Sequence, residues 1–371
     1  MRSIRDIPNL KDKNVLLRAD FDIPISDKGQ IEEVFRVKKQ KETLDYLVEH
    51  GAHVVMIAHI SDESVGRSFA SLVPQFHILL GHEIVFIKTI EEMGDHLENY
   101  SGPALLDNIR QNTGEENNDE EFSKQLAQGF DYYINNAFAV CHRNHASVSG
   151  VAKQLPSYAG FLVQSEVSNL GKAMDIAGKG KILIMGGAKA STKIPVIKNF
   201  LDKADSILLG GVIANDIMKA RGENVDDSVV DNNASELLTG LDLRSPKLVM
   251  PEDYKKHDNK FLDIGAKTIS NFTEKIKNSN MIIWNGPMGM FEDDRFEEGT
   301  RAVAEAIIES DAIKIIGGGD TISALDRFGM LARFESLVGS GKVFISTGGG
   351  AMLAFLAGEE MPGLKVLGFY E

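Results

Sequence analysis

Cysteine is nearly absent from this chain, with one thiol, Cys141, in 371 residues. A single cysteine excludes a disulfide framework and fits a reducing, cytoplasmic setting. Long apolar runs are missing too: none approaches the roughly 20 residues of a membrane span. The opening segment, Met1 to Asp12, is polar and has no export-signal core, so neither a membrane nor secretion is expected. Positive charge is in short supply, since 40 Lys+Arg against 54 Asp+Glu leave a formal net charge of -14. That field disfavours nucleic acid, so any phosphate partner must be held by locally focused cations. Three nucleotide-binding patterns are also missing. Gly339-Ser340-Gly341-Lys342-Val343 matches only the end of a P-loop, with Ser336 at the first glycine position and Val343 in place of the hydroxyl. The stretch from Gly186 to Lys189 does not fit G-x-G-x-x-G, and no acid about 20 residues on is placed to hold a ribose. No H-R-D loop of the protein-kinase type occurs.

What the chain does have is glycine after strands. Five apolar segments in its second half run straight into glycine: Ile182 to Met185, Ile207 to Leu209, Ile282 to Trp284, Ile313 to Ile316 and Val343 to Ile345. In an open α/β sheet, ligands sit beyond the carboxyl ends of the strands. Glycines there allow close backbone approach, and a following helix N-terminus favours anions. Five such turns predict a sheet edge that receives a phosphorylated ligand. Hydrophobic content of 43% and charged content of 25% are those of a soluble globular protein.

The first half also alternates. Strands are expected at Val15 to Arg18, Val54 to Ala58, Ile84 to Ile87, Ala104 to Leu106 and Tyr132 to Ile134, with helices such as Arg36 to Glu49 and Glu120 to Gln128. Continued alternation predicts an α/β fold of two doubly wound, mainly parallel sheets. The length itself predicts two domains. The break signal Pro156 to Gly160 marks their boundary. The expected layout is an N-terminal domain over 1–160, a connecting helix over 161–174 and a C-terminal domain over 175–354. The last segment, 355–371, is expected to return to the first domain, and the two domains to face each other across a cleft.

Cations gather at the strand ends of the first half: Arg18, Arg36, Arg110, and His142-Arg143 with His145. Arginine forks bind phosphate or carboxylate bidentately. A nearby carboxylate is the plainer partner for any one of them, but not for all at one edge.

At this point the motifs resemble those of the phosphoglycerate kinase family. Arg18-Ala19-Asp20-Phe21-Asp22-Ile23-Pro24 resembles its R-x-D-F-N-x-P opening, Ala58-His59 its S-H-L-G-R segment, and Leu105 to Arg110 its L-L-E-N-x-R segment. Asn135-Asn136-Ala137-Phe138 with His142-Arg143 is similar to its N-D-A-F-x-x-x-H-R segment. Gly186 to Lys193, Trp284 to Phe291, Gly317 to Thr321 and Ser346 to Ala351 follow in family order. The resemblance covers nearly the whole chain. It implies reversible phosphoryl transfer from 1,3-bisphosphoglycerate to ADP, giving 3-phosphoglycerate and ATP, with Mg2+. The partners would be these small molecules only, and the protein a monomer.

Residue by residue, the resemblance implies that Asp20, Phe21, Asp22 and His59 meet the glycerate part. Arg110 and Arg143 would meet the far phosphate, and Arg36 and His142 would also bind this substrate. Lys189, Lys193, Asn285, Gly318, Gly319, Asp320 and Thr321 would meet the nucleotide, and Glu292 its ribose hydroxyls. Asp320 would carry Mg2+. Arg36, Lys193 and the amides of Gly349 and Gly350 would stabilise the transferring group. A carboxylate acceptor is already ionised, so no general base is needed, which agrees with the lack of a base–nucleophile pair. With the two ligands on different domains, catalysis would require closure.

Several positions depart from the family pattern. Asp62 stands where an arginine is usual, with Arg67 as a candidate substitute. Asp22 replaces asparagine, and a carboxylate facing the substrate's own should weaken binding unless it is protonated or turned away. Asn136 replaces aspartate and would remove a charge from a supporting network. These departures keep open a relative that binds without turnover. A two-domain solute-binding protein is disfavoured by Lys193 and Asp320, and a NAD enzyme by the missing fingerprint. Simpler structural roles are expected for Cys141 and Trp284 as core, for Met288 and Met290 as packing, and for the run Glu115 to Glu121 as a solvated turn and helix start.

Overall fold

Parallel strands buried on both faces need apolar side chains at odd and even positions alike. β1 (Asn14–Arg18), β2 (His53–Ile57) and β5 (Tyr132–Asn135) satisfy this, as do the shorter β3 (Val85–Ile87), β4 (Ala104–Leu106) and β6 (Ser157–Ala159). Val15, Leu17, Val54, Met56 and Ile134 enter one hydrophobic cluster, while Leu16, Val55, Ile57 and Tyr133 enter a second. The six strands pair in the order β3-β4-β2-β1-β5-β6, all parallel. The computed structural model describes residues 1–99, 102–175 and 179–371. These divide into one unit of Met1–Val167 with Glu360–Glu371, and a second of Ser168–Glu359, so the division falls inside the helix Phe161–Met174.

The second unit repeats the plan. β7 (Lys181–Met185), β8 (Ser206–Leu209) and β9 (Leu248–Val249) precede a two-stranded hairpin, β10 (Tyr254–His257) and β11 (Lys260–Ile264). β12 (Met281–Asn285), β13 (Ile313–Gly317) and β14 (Val343–Ile345) complete the set. The parallel sheet runs β14-β13-β12-β7-β8-β9. Register aligns Met185 with Asn285 and Leu209, Asn285 with Gly317, and Ile316 with Ile345. The glycine turns expected from the sequence therefore leave one edge at one level.

Three local expectations are corrected, and one element, a hairpin, was not expected. The helix expected over Arg36 to Glu49 is two helices, Val34–Lys38 and Lys41–Glu49, because the joint turns the fully buried Gln40 inward to Asn136. The break signal around Pro156 is β6, the last strand of the sheet, paired with β5 and bridged at Ala159 to Ser3, where a preceding proline interrupts no ladder. The hairpin β10–β11 is antiparallel, and its turn residues Asp258 and Asn259 have φ of 46° and 57°, as a tight hairpin requires. Finally, the acidic run is not wholly solvated. Glu115 is fully buried and accepts from the Ser147 amide at 2.8 Å and the Ser147 hydroxyl at 2.6 Å. Asp119 caps the helix Glu120–Ala127 through the Phe122 amide.

Asn136 shows why an amide suits its position. Its Oδ1 accepts from the Thr43 hydroxyl at 2.9 Å and the Leu162 amide at 3.0 Å, while its Nδ2 donates to Gln40 Oε1 at 2.9 Å. A carboxylate has no hydrogen to give Gln40 in that arrangement. Asn136→Ala should strand these buried partners and destabilise the first unit by about 3 kcal/mol, given about 1–3 kcal/mol per unsatisfied buried group. A lowered urea midpoint, with faster hydrogen exchange at the Leu162 amide, checks this; unchanged exchange there would count against it.

Candidate active site

In the first unit the polar residues follow the carboxyl ends of β1, β2 and β4. Arg18, the last residue of β1, is 1% exposed and its guanidinium is already committed. Its Nε donates to Ser147 Oγ at 3.0 Å, its Nη1 to the Ala19 carbonyl, and its Nη2 lies 3.1 Å from His59 Nδ1. Arg18 is thus a buried scaffold beneath the site, contrary to the expectation of a phosphate-facing cation. Phe21 is corrected likewise. Its ring is fully buried and stacks on Phe76 at 4.5 Å, so its side chain belongs to the core. His145 sits 3.7 Å from the buried Glu115.

Above this scaffold lie Asp20, Asp22, Arg36, His59 and Arg110. Asp20 is buried beside Arg36, at 3.7 Å, and its Oδ2 has no hydrogen-bond partner. Arg36 donates from Nη1 to the Asp22 carbonyl at 2.5 Å, while its Nε lies 3.4 Å from Glu33 and 3.7 Å from Asp20 without a well-aligned hydrogen bond to either. Burial works against the Arg36 charge, but Asp20 and Glu33 outweigh it and raise the pKa. Asp22 accepts from the Ser61 amide at 2.8 Å and lies 3.2 Å from His59 Nε2. Burial raises its pKa, but His59 and Ser61 together outweigh that and hold it far below the usual range. Arg110 donates to Ser61 Oγ at 3.0 Å and keeps Nη2 unpartnered. His142 and Arg143 follow the turn Phe138–Val140. His142 Nδ1 is unpartnered, burial lowers the His142 pKa, and Arg143 has no carboxylate within 4.0 Å among the described residues.

Unpartnered buried polar atoms are costly in a folded protein. Five here, on Asp20, Arg36, His59, Arg110 and His142, leave hydrogen-bonding capacity that a polar ligand could take up. Asp62 is not among them. It clips the loops together, accepting from Ile25 N at 3.0 Å and Ser64 N at 2.8 Å. Arg67, the candidate substitute for the missing arginine, pairs instead with Glu63 at 2.7 Å.

In the second unit the glycine turns pack on one another. A Cβ on Gly186 would fall 2.0 Å from the Pro287 carbonyl oxygen, and one on Gly211, at φ 57°, would fall 2.6 Å from the Gly187 amide. The Gly187 amide donates to Pro287 O, and the Gly211 amide to Met288 O. These glycines therefore bring turns together, and their amides are spent. The amides left for an anion are those opening the helices Gly319–Arg327 and Gly349–Ala357, which lack intrahelical acceptors.

The turns wall a cavity of about 280 Å³ lined by Val229, Tyr254, Phe261, Met288, Met290 and Glu292, with Asp320 at its margin. The sequence reading missed the hairpin residues Tyr254, Phe261 and Asp263. The Asp258-Asn259 pair between alternating segments was the available signal. Asp263 ties the wall together, accepting from the Gly299 amide at 2.8 Å and the Ile264 amide at 2.9 Å. Burial pushes its pKa up to about 7.

Lys193 lies on the helix Ala190–Phe200, 5% exposed, and donates to the Gly186 carbonyl. Burial lowers its pKa to about 8; Lys189 adds to the fall and Asp320 opposes it. Lys189 itself is exposed in a left-handed conformation, φ 64°, just before that helix. Asn285 is 3% exposed with an unpartnered Nδ2 beside Gly318. Thr321 is fully buried and accepts from the Gly286 amide at 2.7 Å, so it braces the turn from beneath instead of facing the phosphates. Asp320 is exposed with no cation within 4.0 Å among the described residues, and no cluster of three acidic, His or Cys ligands occurs among them. One free carboxylate at a phosphate edge suits Mg2+ that takes its other ligands from phosphates and water.

A carboxylate-and-arginine surface on one doubly wound unit, with a lysine, an acid and an apolar cavity on the other, is a residue set that fits an α/β phosphotransferase. Comparison with known proteins specifies which. A sequence model described as phosphoglycerate kinase matches residues 4–359. The phosphoglycerate kinase of Finegoldia magna is 36% identical over 404 residues, spanning 99% of this chain and 98% of that protein. That of Thermosipho africanus is 37% identical, spanning 98% and 96%. The solved phosphoglycerate kinase of Coxiella burnetii superposes with a TM-score of 0.82 at 30% identity, covering 99% of this chain and 98% of that one. The chain belongs to the phosphoglycerate kinase family, enzymes whose phosphoryl acceptor is a carboxyl group.

The depressed Lys193 pKa has a consequence for nucleotide binding. A bound polyphosphate favours the ammonium form, so binding ATP should take up a proton where free Lys193 is partly neutral. The Lys193 contribution to affinity should be flat below pH 7 and fall by up to about tenfold per pH unit as pH rises past 8, until the pKa of the complex is reached. Calorimetry in buffers of different ionisation heat would detect the uptake. Lys193→Met should abolish it; persistence in that variant would assign the proton elsewhere.

Proposed function

We propose that the polar surface of the first unit binds 3-phosphoglycerate or 1,3-bisphosphoglycerate, and that the glycine edge of the second binds ADP or ATP. The observation that supports this most directly is the pairing of unpartnered polar atoms with ligand chemistry. Asp20 Oδ2 can accept from the glycerate hydroxyl, while Arg36 Nε and His59 Nε2 can donate to its carboxylate. Arg110, with a free Nη2, and Arg143 can fork onto the far phosphate.

On the second unit, the apolar cavity suits the nucleoside, with Glu292 at hand for ribose hydroxyls. Lys189 and Lys193 would meet the phosphates. Asp320 would hold Mg2+, which neutralises phosphate charge when bound. Asn285 Nδ2 is a donor for the transferring phosphate.

The acceptor is a carboxylate, ionised at neutral pH, so no residue need remove a proton. What the residues supply is alignment and charge. Arg36, kept cationic by its acidic neighbours, and Lys193, with little side-chain freedom, would balance the equatorial oxygens. The first amides of the helix Gly349–Ala357 would add oriented donors.

The purified protein should form ATP from 1,3-bisphosphoglycerate and ADP in a coupled assay, and lose that activity when EDTA removes Mg2+. Arg36→Ala should lower kcat by about 100-fold or more, the scale of one lost transition-state donor, with folding unchanged by circular dichroism. Binding of both ligands without turnover would identify a non-catalytic relative.

A further inference from the structure

The carboxylate of Asp22 stands among the donors of the first unit, and its neighbours fix what it does there. Arg18 Nη2 lies 3.1 Å from His59 Nδ1. A guanidinium has no lone pair to offer, so Nδ1 must be the acceptor and the His59 proton must sit on Nε2. That Nε2 is 3.2 Å from Asp22 Oδ2 but off the line of a hydrogen bond. Asp22 Oδ1 accepts from the Ser61 amide at 2.8 Å. Its side chain is 30% exposed, so this contact forms at the mouth of the site. Among the described residues the cation at Asp22 is Arg36, which holds the Asp22 backbone carbonyl and is already faced by Asp20 and Glu33. Asp62 adds a further negative charge nearby.

We propose that Asp22 is an internal competitor for the acid substrate, its carboxylate occupying the Ser61 amide and facing the His59 Nε2 proton that the glycerate carboxylate would otherwise use. This rests on reading the first unit as the glycerate half-site. An incoming carboxylate meets donors partly engaged by a like charge, and the charge cannot be relieved by protonation near neutral pH, because His59 and Ser61 keep Asp22 ionised. The penalty is therefore constant across the working range. Arg36 stays charged throughout, and Asp20, Glu33 and Asp62 add only negative charge. An amide at this position retains an oxygen for Ser61 and offers the substrate a donor in place of a charge.

The test is calorimetric titration of 3-phosphoglycerate into the wild-type protein and into Asp22→Asn. The variant should bind about tenfold more tightly, the scale of one like charge removed a few ångströms away in a partly solvated site. The gain should shrink at high salt, keep the same size at pH 6 and pH 8, and leave the KM for ATP unchanged. Equal or weaker binding would overturn the proposal and make Asp22 a positioning residue for His59. A gain that changes between pH 6 and pH 8 would also overturn it, by tracing the effect to a titrating neighbour. Asp22→Ser is a second neutral variant that decides the matter if Asp22→Asn does not fold. Failure of the wild-type protein to form ATP defeats the kinase reading beneath this one. ATP formation with no gain in either variant defeats this inference alone.

Discussion

Every strand of a parallel sheet delivers its carboxyl end to the same edge, and the rest of this structure depends on that constraint. Arg18 pairs with Ile57 and Asn135 at the edge of the first sheet; Met185, Asn285 and Gly317 lie level in the second. Residues distant in sequence are thereby brought together without any dedicated contact between them. The loops beyond that edge carry the polar side chains, and their chemistry is dense for this reason. Helices on both faces hold the strands level, which is why the first sheet has a core cluster on each of its two faces.

The two units use their edges differently. In the first, charge is arranged in layers: Arg18, Glu115 and Ser147 form a buried base, and Asp20, Asp22, Arg36 and His59 stand above it. The base fixes the His59 proton and so determines what the upper layer can recognise. In the second, glycine removes side chains so that turns can touch, and the space they leave is an apolar cavity with Asp320 in its lining. One unit presents charged forks, the other an apolar cavity and a few cations.

Much of this was legible in the sequence because its signals are local. The apolar runs ending in glycine became β7, β8, β12, β13 and β14, and the R-x-D-F, W-N-G-P-M-G, G-G-G-D-T and S-T-G-G-G-A strings carried the family. The errors share one cause. Arg18, Phe21, Glu115 and Thr321 each have a polar or aromatic character that reads as functional or solvated, and each is buried. Burial depends on partners far away in the chain: Ser147 for Arg18 and Glu115, Phe76 for Phe21, the Gly286 amide for Thr321. No window of sequence contains both members of such a pair.

The sequence by itself determined the fold class, the family and the identities of the groups at each sheet edge, because periodicity, glycine placement and motif order are properties of neighbouring residues. Only the tertiary structure decided which of those groups keep a free hydrogen-bonding atom. Arg36 and Arg110 retain one; Arg18 does not, though all three looked alike as strand-end cations. The same holds for the glycines, where the amides of Gly187 and Gly211 are consumed in packing while those opening the helices at Gly319 and Gly349 are left over. A donor's availability depends on what else has come within about 3 Å of it, and that proximity is created only when distant segments pack.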